Sequence, residues 1–159
     1  MKSLLLIATL SASSFCFANS GLQRDLCFVG DSVAHGYKQA YSARYGALNG
    51  TTEVGASASK VLQMLKGTDN IKCHTVVLSS GISNSPTAYS VVDRQIQWLQ
   101  TQNVNVLLLG TSNRFPKYGN ELNIKLNSIC GKYSNCRFLG GFSPSKDKVH
   151  PKSYKVGGF

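Results

Sequence analysis

The sequence is short of acid. Its 159 residues carry 7 Asp and Glu against 17 Lys and Arg, a formal net charge of +10 at pH 7. Such an imbalance favours anionic partners: acidic polysaccharide, cell-wall polymer, a membrane surface or nucleic acid. A solubilising surface on an exported protein accounts for it equally well. The cations are scattered along the chain, Lys60, Lys117 and Lys155 among them, with no arginine-rich run and no nucleic-acid motif, so a nucleic-acid partner is not expected. A long hydrophobic run is also missing. Ser3 to Phe17 is apolar and small but falls short of the roughly 20 residues that span a bilayer. No later segment comes closer, so stable membrane insertion is not expected. With Met1-Lys2 before it and Cys16-Phe17-Ala18 after it, that run reads as a secretory signal, removed as residues 1–18. Phe15 argues against a lipid anchor on Cys16, where a small residue would be usual. Residues 19–159 then form one exported domain, periplasmic or extracellular, without repeat, low-complexity segment or linker. The sequence leaves its oligomeric state open.

Cysteine pairs at CxxC spacing are absent, which removes the usual zinc signature, and no metal is expected. The four cysteines beyond the leader are Cys27, Cys73, Cys130 and Cys136. An even number in an oxidising compartment points to two disulfides. Cys130 and Cys136 lie close enough in sequence to pair. Cys27 and Cys73 each open a predicted strand and would bridge neighbours at one end of a sheet.

Short apolar runs ending in glycine alternate with helical patterns. Leu26–Val29 before Gly30, Thr51–Val54 before Gly55, His74–Ser79 before Gly81, Val104–Leu109 before Gly110 and Arg137–Leu139 before Gly140 read as five strands. Helices are predicted over Ser32–Arg44, Ser59–Lys66, from a Ser85-Pro86 start through Leu99, and over Glu121–Cys130. This alternation predicts an α/β fold: a single three-layer α/β/α domain with a five-stranded parallel, flavodoxin-like sheet and right-handed crossovers. Such sheets place ligands beyond the carboxyl ends of their strands. Ser32, Gly55, Asn84 and Asn113 all follow strand ends and would gather on one edge.

Histidine is scarce: His35, His74 and His150 are all there is. His35 lies on the first helix and His74 at a strand start. His150 lies three residues after Asp147 in a polar loop. An Asp-x-x-His turn lets the carboxylate accept from ring Nδ1 and leaves Nε2 to take a proton from a serine. Ser32, just after the first strand and at the mouth of a helix, is placed to supply that hydroxyl, with helix N–H groups nearby for developing negative charge. A plain helix cap is the alternative for Ser32, since Ser and Asp both cap well. A phosphate-binding cofactor is not expected. The loop from Gly30 to Gly36 lacks the Ser, Thr and Gly run that cradles one, and Asp31 would repel it.

Four blocks, in order, resemble the SGNH, or GDSL-type, hydrolases: Phe28-Val29-Gly30-Asp31-Ser32-Val33-Ala34, Glu53-Val54-Gly55-Ala56-Ser57, Ser80-Gly81-Ile82-Ser83-Asn84 and Asp147-Lys148-Val149-His150-Pro151. The resemblance implies Ser32 as nucleophile, His150 as base and then acid, and Asp147 as its orienting carboxylate. It implies an oxyanion hole from the Ser32 N–H, the Gly55 N–H and the Asn84 side chain. The third block departs from the family pattern, with two residues between Gly81 and Asn84 and Ser85 after it. Gly110-Thr111-Ser112-Asn113 has a similar shape one strand later, so Asn113 is the alternative third donor. The family tends to close with a helix after its histidine. This sequence does not continue far enough for a full one, which would leave one flank of the site open. The resemblance implies a secreted esterase acting on an acyl group, short or acetyl, of a carbohydrate or cell-wall polymer, including an acylated anionic glycan. The competing function is a catalytically silent α/β module that grips an anionic glycan or a protein through its basic surface.

Overall fold

A computed structural model describes residues 25–67, 71–113 and 119–155. The leader expected over residues 1–18 lies outside them. Four parallel strands lie in chain order: β1 Leu26–Gly30, β2 Thr75–Ser79, β3 Asn105–Leu109 and β4 Cys136–Phe138. Four helices connect them: α1 Ser32–Tyr45, α2 Ala58–Gly67, α3 Tyr89–Thr101 and α4 Gly119–Cys130. None of the described helices is long and apolar enough to cross a membrane.

Strand alternation sends side chains to two faces. Cys27, Val29, Val76, Leu78, Val106 and Leu108 point to one. There they pack against Val61 and Leu65 of α2, Val92 and Ile96 of α3, and Leu122 and Leu126 of α4. The other face presents Phe28, Val77 and Leu109 to α1, which contributes Val33 and Tyr41. The layers are therefore unequal, with three helices on one side and α1 alone on the other among the described residues. Each fully buried Val, Leu, Ile or Phe of these layers stabilises the fold by roughly 1.5–3 kcal/mol.

Two expectations need correction. The predicted strand over Thr51–Val54 does not extend the sheet to five. It survives as single bridges, Cys27 to Asn49 and Gly30 to Thr52. The reason lies between them: Gly50 holds φ +112° with the Phe28 backbone where a Cβ would sit, so a regular ladder cannot run through it. The bridges still matter, because Glu53 N–H donates to Gly30 O at 2.9 Å and pins the following turn to the end of β1. The second correction concerns Ser85-Pro86. It does not start α3. The Ser85 hydroxyl instead accepts from the Ala58 N–H at 3.3 Å, capping α2, and a turn (Ala88 N–H to Ser85 O, 2.9 Å) precedes the helix.

Both expected disulfides form, Cys130–Cys136 from its short spacing and Cys27–Cys73 from the strand starts that the two cysteines mark. The first spans 46 residues of sequence and the second 6. Loop-closure entropy puts their contributions at about 4 and about 2 kcal/mol. Cys27–Cys73 fastens β1 to the segment leading into β2, well away from the glycine ends of the strands.

Candidate functional site

The site begins at the turn from β1 into α1. Gly30 has φ +140°, and a side chain there would run into the Ser79 backbone, so β1 and β2 approach as only glycine allows. Asp31 follows, 2% exposed, and is the helix cap: its Oδ1 accepts from the Val33 N–H at 2.9 Å and from the Ser79 hydroxyl at 2.6 Å. Burial pushes the Asp31 carboxyl up, partly offset by those two donors. Because Asp31 takes the cap, Ser32 does not have to.

Ser32 instead faces the far end of the chain. Its Oγ is 2.8 Å from His150 Nε2, and His150 Nδ1 is 2.6 Å from Asp147 Oδ2. The three residues named from sequence thus stand in one continuous hydrogen-bonded line. The other carboxylate oxygen, Asp147 Oδ1, accepts from the Ser145 hydroxyl at 2.7 Å, the Val149 N–H at 2.9 Å and the His150 N–H at 3.0 Å. Ser145, then the donors of His150 and Val149, hold the Asp147 carboxyl well below the usual carboxylate range, although the residue is exposed.

The turn that carries His150 is clamped from outside. Lys148 takes a left-handed conformation, φ 64°, and its carbonyl accepts from the buried Ser112 hydroxyl at 2.7 Å. Ser145 N–H donates to His150 O at 2.7 Å and closes the loop on itself. Beyond His150 the chain does not form a helix through Lys155. It lays the Tyr154 ring where a side chain on Gly36 of α1 would have to go, edge-on to Tyr37 at 4.9 Å. Burial and the neighbouring Tyr37, Asp147 and Asp31 push the Tyr154 hydroxyl up to about 12.

Gly55 and Asn84 occupy the loops after Thr52 and after β2. Gly55 has φ +78° in a turn closed by Ala56 N–H to Glu53 O, 3.2 Å. Asn84 ends a short 3-10 turn, Ile82–Asn84, and donates one amide N–H to Ala56 O at 3.1 Å. Its second amide N–H has no partner among the described residues. Wholly buried Gln95 locks the two loops from beneath, donating to Ala58 O at 2.8 Å and Ser80 O at 3.0 Å. Asn113 is used differently. Its Oδ1 accepts from Asn123 at 3.0 Å and its N–H donates to Phe142 O at 3.0 Å, so it belongs to the β3–α4 packing. His35 Nδ1 meets the Thr52 hydroxyl at 3.0 Å, and His74 pairs with Asp25 at 3.1 Å, so neither enters the Ser32 line.

Sequence reasoning missed Ser112, Ser145, Ser79 and Gln95. Ser112 lay inside the Gly110–Asn113 segment that drew attention to Asn113 instead. Ser145, two residues before Asp147, fits a side-chain-to-side-chain bond within one turn. Gly36 carried a signal too, since glycine inside a helix costs about 1 kcal/mol against alanine and marks a close approach. A cavity of about 500 Å³ elsewhere offers no rival centre. It opens at the opposite edge, near Leu26, Thr75 and Asn105 where the strands begin.

No family model matches the chain in sequence, and no curated protein does. Solved structures match it in three dimensions. A protein from Bacteroides fragilis described as an acylhydrolase superposes with TM-score 0.62 at 14% identity, covering 92% of this chain and 91% of that one. A GDSL-like lipase from Bacteroides thetaiotaomicron gives TM-score 0.60 at 12% identity, covering 87% and 82%. AlinE4, an SGNH-hydrolase family esterase, gives 0.50 at 17%, covering 74% and 75%. Sheet order, helix placement and these superpositions agree: the chain has the fold of the SGNH, or GDSL-type, hydrolases.

Proposed function

We propose that the protein is an exported serine hydrolase of carboxylic esters. The observation that carries this reading is the unbroken line Ser32 Oγ–His150 Nε2, His150 Nδ1–Asp147 Oδ2. Ser32 Oγ attacks the ester carbonyl as His150 Nε2 takes its proton. Asp147 holds the ring in the tautomer that leaves Nε2 free to accept and stabilises the imidazolium that forms. The carbonyl oxygen becomes an oxyanion, met by the N–H groups of Ser32 and Gly55 and the spare amide N–H of Asn84. The tetrahedral intermediate collapses, His150 returns the proton to the departing alkoxide, and the acyl group stays on Ser32. Water, deprotonated by His150, then releases the acid and restores the serine. The two disulfides suit the oxidising compartment that the leader over residues 1–18 implies. Short loops around the site favour a small acyl group over a long fatty chain.

Purified protein should therefore hydrolyse nitrophenyl acetate or butyrate well above a Ser32→Ala control. No difference from that control across several acyl lengths would contradict the reading. Asn84→Ala should lower kcat by about 10²–10³-fold, the usual effect of losing one oxyanion donor. The same change removes only the bond to Ala56 O, so thermal unfolding should register about 1 kcal/mol or less. Wild-type kcat in that variant would take Asn84 out of the oxyanion hole.

A further inference from the structure

Among the described residues, α1 stands alone on its face and leaves the sheet uncovered beside it. Two adjoining hollows of about 340 and 400 Å³ fill that flank and share Tyr37, Phe142 and Lys155, so they form one groove. One end reaches Pro151, next to the catalytic histidine, and the other reaches Arg137 and Gly140 at β4. Arg137 belongs there by register: it lies opposite Leu107, on the α1 side of the sheet.

The lining combines aromatic walls with unpaired cations. Tyr37 is braced by Tyr154, and Phe142 is fixed by its backbone bridge to Ser112. Arg137, Lys152 and Lys155 are exposed, and among the described residues no Asp or Glu lines either hollow. None of the three forms an ion pair among the described residues, whose pairs are Lys60–Glu53, His74–Asp25, Lys132–Asp93 and His150–Asp147. Asp147, beside the histidine end, is committed to His150 and Ser145, and Asp25, which lines a separate cavity with Arg137, pairs with His74.

We propose that this groove binds an acidic polysaccharide, the carboxylate-bearing chain on which the ester is carried. The proposal rests on the esterase reading, which selects a polymer with hydroxyl groups to acylate over nucleic acid. Arg137, Lys152 and Lys155 pair with successive carboxylates, and Tyr37 and Phe142 offer apolar faces to the sugar rings. An elongated concave flank suits a chain better than a membrane plane. The histidine end then sets the polymer so that a nearby acyl group lies over Ser32.

The test separates binding from turnover. Full-length Ser32→Ala protein is titrated with polygalacturonate and with neutral dextran, then again with Arg137→Gln, Lys152→Gln and Lys155→Gln added. The expected result is saturable, salt-sensitive binding of polygalacturonate alone, weakened about tenfold by loss of the three exposed charges. In the Ser32 background, the same triple change should raise KM for acetylated polygalacturonate about tenfold and leave kcat/KM for nitrophenyl acetate unchanged. Absent binding, equal binding of dextran, equally tight binding of polyphosphate, or binding indifferent to the triple change would each overturn the proposal. Because the titration needs no catalysis, its failure leaves the esterase reading standing. Loss of esterase activity with binding intact would overturn only that reading.

Discussion

Replacing Ser32 with alanine should reduce kcat for a short-chain ester by about 10⁶-fold while leaving the fold as stable as the wild type. The two halves of that expectation come from different atoms. The hydroxyl is the nucleophile that His150 activates, so its removal takes out the acyl-serine route. Stability is spared because Asp31, not Ser32, accepts from the Val33 N–H. Uncapping a helix usually costs about 0.5–2 kcal/mol, and that loss should attend Asp31→Ala instead. A Ser32→Ala protein that melts early and retains most activity would restore the plain cap reading. Steady-state kinetics beside a thermal melt decides it.

The second large effect is expected at Asp147. Asp147→Asn should lower kcat by about 10⁴-fold with Ser32 and His150 still in place. An amide facing Nδ1 no longer selects the tautomer whose Nε2 can accept the Ser32 proton. It also weakens a turn in which one carboxylate oxygen gathers three donors. The pH dependence follows from the direction of the Asp147 shift. Its carboxyl is held below the usual carboxylate range, so the folded state favours the ionised form. The stabilisation is fully present above the ordinary carboxylate pKa and is lost only as pH falls through the lowered value. Asp147 should therefore add no step to the wild-type activity profile between neutral pH and the usual carboxylate range. A wild-type step near pH 4 that disappears in Asp147→Asn would contradict this.

Much of this arrangement was legible in the sequence, for identifiable reasons. Glycines after apolar runs mark strand ends, as at Gly30, Gly81 and Gly110, and so locate the turn that carries Ser32. The Asp147–His150 pair could be read because it is local, closed within a single turn. What could not be read was long-range or subtractive. Ser112 reaches Lys148 across 36 positions of sequence, and nothing near either residue announces it. Ser85 looked like the start of the helix that follows it, but its hydroxyl caps a helix 27 positions earlier. The fifth strand failed at Gly50, whose close approach to Phe28 is a fact of packing and not of local propensity. The cations beside α1 come from separate segments, Arg137 of β4 and Lys152 and Lys155 after His150, that only the fold brings together.

The measurement that bears most directly on this account is covalent labelling of the nucleophile. A fluorophosphonate added to the purified protein should attach once, at Ser32, by peptide mass spectrometry. The label should be absent in Ser32→Ala and much slower to form in His150→Ala, where no base draws off the proton. No adduct on folded protein, or an adduct at any other residue with Ser32 untouched, would contradict the central claim that Ser32, driven by His150 and Asp147, is the attacking group.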